Sequence, residues 1–169
     1  MARLLAMSSS APNPNANAVR RVMALWASAL RQPTRTLRVV AIGTAALLAL
    51  NVLWQGAQPY AVGLFAEGWD KVAHATLHYV LCSVLLLALG LRRGVWALVL
   101  CASFAAIDEW AQQFSPGRSV SFYDWLASVA GALLALAVAH ALVWASEMKR
   151  LQVTRRRREK LNRWWELYR

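Results

Sequence analysis

Residues 72–112, VAHATLHYVLCSVLLLALGLRRGVWALVLCASFAAIDEWAQ, decide the fold. Two apolar runs flank Arg92 and Arg93, and each approaches the roughly 20 residues that a helix needs to cross the hydrocarbon of a bilayer. The stretch therefore predicts two spans joined by a tight basic turn, from Val72 to Leu91 and from Gly94 to Gln112. Working outward, Val39 to Ala57 and Tyr123 to Ala145 are apolar runs of the same kind. Backbone groups in hydrocarbon must be satisfied within the segment, so all four are read as helices. The expected fold is all-α, an integral-membrane four-helix bundle forming one domain. A hydrophobic content of 59% against 16% charged residues agrees with that solvent.

Orientation follows from the cationic residues. Of the 19 Lys and Arg, 17 lie before the first span, between the second and third, or after the fourth. Only Lys71 and Arg118 occupy the other two connections. The positive-inside rule then puts both termini in the cytoplasm and the two sparsely charged connections outside.

The flanks divide into segments 1–37 and 147–169 around a transmembrane domain at 38–146. Met1 to Asn17 is rich in Ser, Pro and Asn, lacks the long apolar core of a cleavable signal, and reads as a disordered leader. Val19, Val22, Met23, Trp26 and Leu30 fall on one helical face, which suggests a helix lying on the inner leaflet. The C-terminal segment carries Arg155 to Arg158 and the pair Trp164 and Trp165, a composition suited to anionic lipid. No recognition module accompanies these charges, so nucleic acid is not the expected partner. Cys82 and Cys101 lie in apolar runs and read as small hydrophobes.

A charge at bilayer depth costs roughly 2.5 to 3.5 kcal/mol on insertion scales, so the polar residues of the spans mark function. Asp70, His74 and His78 are spaced i, i+4, i+8 on one face, with Lys71 beside them. Asp108, Glu109 and Gln112 fall within one turn at the end of the third span, and a Pro116-Gly117 turn presents Arg118 ahead of Ser121 and Asp124. All of these belong to the outer end of the bundle. One reading makes Arg118 an ionic lock to Asp108 or Asp124; another makes it a clamp for a ligand carboxylate or phosphate. Glu67, Asp70, Asp108, Glu109 and Asp124 outnumber Lys71 and Arg118 there, so a bare phosphate would be repelled. Protonated carboxyls, a bound divalent cation or a cationic ligand would each relieve that field. In the fourth span Ala127, Gly131, Ala135 and Ala139 recur every four residues, a seam that allows close helix approach or self-association. Ser128 is placed to hydrogen-bond inward, and Asn51 is polar at depth in the first span.

The segments WDKVAH at 69–74 and IDEWAQQFSPGRSVS at 107–121, followed by Asp124 to Gly131, resemble the VanZ-like membrane proteins. The combination D-K-x-x-H with D-E-x-x-Q…P-G-R-x-x-S-x-x-D carries the resemblance. Ser128 stands where many relatives have Asn, and Ala135 where they often have Gly. The resemblance implies a small four-helix protein of the bacterial inner membrane, and the namesake is associated with lowered susceptibility to the glycopeptide teicoplanin. It also implies that Asp70, Lys71, His74, Asp108, Glu109, Gln112, Arg118, Ser121 and Asp124 are the positions of interest.

Three functions fit these residues. In an enzyme at the outer leaflet, Asp108 or Glu109 would act as acid or base, His74 as proton carrier and Arg118 as anion clamp, with a divalent metal ion held by Asp70, His74 and Asp108 in a metal-assisted version. In a binder, Asp70, Lys71, Gln112, Arg118, Ser121 and Asp124 would recognise a lipid-linked precursor or a glycopeptide-related ligand. In a structural role, the cluster would be an ionic lock and the protein an anchor or assembly subunit. A proton-coupled transporter fits less well, because the acids gather at one end and leave no path across.

Overall fold

A computed structural model describes residues 14–58, 68–115 and 117–169; side chains are described from residue 18 onward. Five helices follow one another: α1 (Pro14–Arg31), α2 (Arg35–Gly56), α3 (Trp69–Leu89), α4 (Gly94–Gln112) and α5 (Phe122–Leu167). Most of the leader, residues 1–13, lies outside the described residues, as do Glu67 and Pro116; α1 already includes the leader's last residues, from Pro14.

The expected all-α bundle is present. Among the described residues four helices, α2 to α5, are long and apolar enough to cross a membrane. Their bounds come from local chemistry. Thr34 caps α2 by accepting from the Leu37 amide at 3.2 Å. Gly90, at φ 81°, stops α3 and leads into a single 3-10 turn, Leu91–Arg93, before α4 begins. Ser121 caps α5, its hydroxyl accepting from the Asp124 amide at 3.3 Å.

The fourth helix differs from its expected end at Ala145, continuing to Leu167. Falling hydropathy marks the end of a span and not the end of a helix. From Ala145 to Arg169 there is neither Gly nor Pro, and Glu, Lys, Arg and Leu dominate. An Arg155–Glu159 pair at i, i+4 adds modest support.

Helix α3 is central and touches α2, α4 and α5, and its most extensive pairing is with α5. The small-residue seam explains that closeness. A Cβ at Gly131 would overlap the Ala75 carbonyl of α3, meeting its carbon at 2.7 Å and its Cα at 2.9 Å. Ser128, Ala132, Ala135 and Ala139 are buried on the same side of α5. Backbone-to-backbone packing of this kind is how helices associate where lipid removes the hydrophobic driving force. At the other end of the bundle α1 packs against α5, where Arg31 pairs with Glu147 and donates to the Ser146 hydroxyl at 3.1 Å.

Candidate functional site

Polar side chains from α2, α3, α4, α5 and the turn before α5 meet at the end of the bundle away from α1. Helix α4 supplies the deepest of them. Its lipid-facing side carries Ile107 and Trp110, both exposed, so Asp108, Glu109 and Gln112 turn inward and are buried. Burial requires partners. Gln112 donates through Nε2 to Asp108 Oδ2 and to Glu109 Oε1, each at 3.4 Å. The backbone amide of Ser121 donates to Glu109 Oε2 at 3.0 Å, tying the start of α5 to the end of α4. Trp125 adds a second tie, donating to the Ala102 carbonyl at 3.2 Å.

From α3, His74 presents Nε2 to Glu109 Oε1 at 3.8 Å, while its Nδ1 lies 3.4 Å from the Ser128 hydroxyl. Fixing one ring nitrogen leaves the other for a proton or a metal. His78, one turn deeper, is fully buried: its Nδ1 meets the His74 carbonyl at 3.0 Å, its ring stands 5.9 Å from that of Phe104, and its Nε2 has no partner among the described residues. Lys71 stands between two acids, 3.1 Å from Asp70 Oδ2 and 3.3 Å from Asp124 Oδ1. Asp70 is in the first turn of α3 without capping it; Gly68 holds the cap position.

Of the two readings of Arg118, ionic lock and ligand clamp, the lock does not form among the described residues: no carboxylate lies within ion-pair distance of Arg118, and its Nη1 donates instead to the Gly56 carbonyl at the end of α2, at 3.3 Å. A turn sends it there: the Ser115 carbonyl accepts from the Arg118 amide at 3.2 Å, and Gly117 sits at φ 80°, where only glycine is unstrained. Ser115 reaches the same Gly56 carbonyl at 3.4 Å. The bridge between helix ends that does form is Lys71 to Asp124.

A cavity of about 310 Å³ opens among these groups, lined by Asn51, Gln55 and Gly56 of α2, Asp70, Ala73, His74 and Leu77 of α3, Asp108 and Gln112 of α4, and Arg118. Gly56 borders both charges: a Cβ there would meet Asp108 Oδ1 at 3.5 Å and Arg118 Nη1 at 3.7 Å, ordinary contact distances. Glu109, Ser121 and Asp124 stand behind that lining. Their grouping differs from the metal set expected from sequence, which was Asp70, His74 and Asp108. The ligand atoms that lie within 4.8 Å of one another are those of His74, Glu109 and Asp124. Sequence reasoning passed over Gln55 and Gly56. A backbone carbonyl leaves no mark in a sequence beyond the glycine that ends the helix.

Residues 6–144 match the family model described as VanZ/LLP1. Neither a curated protein nor a solved structure matches the chain.

Proposed function

Because the chain belongs to the VanZ/LLP1 family of membrane proteins, we propose that its polar cavity binds, and in its catalytic form processes, a molecule of the bacterial cell envelope. The observation that carries this reading is the cavity itself. Asp70 and His74 of α3, Asp108 and Gln112 of α4, and Arg118 reach one hollow, a convergence of polar groups that an otherwise apolar chain has to be built to hold. The charge distribution favours an inner-membrane protein with cytoplasmic termini and an outward-facing site. A lipid-linked precursor and a glycopeptide-related ligand are the two ligand types under this reading.

The trio His74, Glu109 and Asp124 suits a divalent cation by donor chemistry, one imidazole nitrogen and two carboxylates, with Ser128 and the Ser121 amide fixing the first two from behind; Asp124 would give up its pairing with Lys71 to join them. When bound, such an ion supplies Lewis-acid activation of a phosphoryl or carbonyl oxygen. Arg118 would meet an anionic group, and Glu109 Oε1, 3.8 Å from His74 Nε2, would pass a proton to it once the pair closes to hydrogen-bond distance. Metal analysis of the purified protein is expected to give about one ion per chain in wild type and a tenfold loss in His74→Gln. Equal and negligible content in both removes the cation.

The decisive experiment is lipid analysis of cells lacking the protein, complemented by wild type or by Asp108→Asn. A lipid or precursor pool that wild type restores and Asp108→Asn does not is expected. Full restoration by the variant overturns the proposal. The Lys71–Asp124 bridge favours a second reading, in which the polar groups only pin helix ends and the protein is an anchor or assembly subunit. An Arg118→Gln variant that folds normally yet fails to complement counts against it.

A further inference from the structure

A second hollow, of about 410 Å³ and almost wholly apolar, lies between α2 and α3. It meets the polar cavity, for Val52, Ala73 and Leu77 line both. Thr76 and Val80 continue the groove down α3 towards the middle of the span, and exposed Trp69 stands at its outer end, where indole rings favour the membrane surface. The two hollows are thus neighbours across a shared wall of Val52, Ala73 and Leu77, a polar end at the outer rim and an apolar arm along α2 and α3.

The polar end carries both signs of charge, with Asp108 Oδ1 and Arg118 Nη1 both beside Gly56. Arg118 gives one hydrogen bond to the Gly56 carbonyl and has no carboxylate within ion-pair distance among the described residues, which leaves guanidinium N–H groups for an anion. Asp70 and Asp108 line the same cavity and offer acceptors; Asp70 Oδ1 is buried without a hydrogen bond among the described residues.

We propose that the ligand is a membrane-resident amphiphile entering sideways between α2 and α3. Its acyl or prenyl chain occupies the apolar arm, an anionic group of its headgroup meets Arg118, and an ammonium or hydroxyl donor meets Asp70 and Asp108. This rests on the reading of the cavity as a ligand site and adds the ligand's class and its route. A ligand with anion and donor together also answers the acidic excess of the site, which a bare phosphate would not.

The test uses the full chain in phosphatidylcholine nanodiscs containing phosphatidylethanolamine with a photoreactive diazirine on its acyl chain. Labelling should concentrate at Thr76 and Val80 over the lipid-facing control positions Val99 and Leu100 of α4. It should fall about tenfold, equivalent to about 1.4 kcal/mol, in Arg118→Gln and in the plugged variant Leu77→Trp. Ala73→Met serves as a second plug should Leu77→Trp fail to fold. A phosphatidylcholine probe, whose quaternary ammonium cannot donate, should label the groove less. Labelling equal to the α4 controls, or unchanged in Arg118→Gln, reduces the groove to ordinary boundary lipid and overturns the proposal. Cells separate the two levels: plugged variants that complement fully where Asp108→Asn does not would mean a ligand arriving from water, and the amphiphile alone falls. If Asp108→Asn also complements, the ligand site itself falls.

Discussion

Replacing Gly131 with Ala adds one methyl group at the tightest point of the bundle. That Cβ would meet the carbonyl carbon of Ala75 at 2.7 Å and its Cα at 2.9 Å, where ordinary contact begins near 3.4 Å. Backbone is on both sides, so no side chain can swing away, and α3 and α5 must part locally by roughly 1 Å. Overpacking of this kind costs about 1–3 kcal/mol. At roughly 2–4 °C per kcal/mol for a chain of this size, Tm should fall by several degrees. The disturbance also reaches the site, since His74 precedes Ala75 and its 3.4 Å approach to Ser128 spans the same interface. Cys82 and Cys101 provide the assay. Both are fully buried and free, so a thiol-reactive fluorophore reports unfolding in detergent. Gly43→Ala on α2, where an added Cβ meets nothing within 4 Å, is the matched control and should leave Tm unchanged or slightly raised. Equal Tm values for Gly131→Ala, Gly43→Ala and wild type would refute the close approach of α3 to α5.

Ser128→Ala removes the hydroxyl facing His74 Nδ1 from a buried position and should cost about 0.5–1.5 kcal/mol in thermal unfolding; no loss would mean that the imidazole is oriented without it. Arg31→Gln breaks the pairing with Glu147 and Ser146 that holds α1 to α5, so trypsin should cleave at exposed Arg20 and Arg21 several-fold faster while complementation is unaffected. Unchanged cleavage would show that apolar contacts alone seat α1.

The spans were legible because hydropathy and length are decided residue by residue. Helix ends are less so: Gly90 stops α3, whereas nothing at Ala145 stops α5, and the fall in hydropathy there marks the end of the span while the helix runs on. Placement of Asp70, Asp108 and Asp124 at one end of the bundle follows from topology and could be read from the order of the spans. Which of them touch could not. Adjacent helical positions differ by about 100°, so a small rotation of α4 decides whether Asp108 or Glu109 faces His74. The partner of Arg118 was missed for another reason: a lysine one helix away took Asp124, and a carbonyl at the end of α2 took the guanidinium.

Helix α5 extends without interruption for 46 residues, about 69 Å at the usual rise. Its first turn holds Asp124, paired with Lys71, and its distal part carries Arg155 to Arg158, all exposed. Such a rod is a lever. A tilt of about 5° at its first turn would sweep the distal tip through about 6 Å, and the pairing of Arg31 with Glu147, partway along the rod, ties α5 to α1 where it would resist that swing.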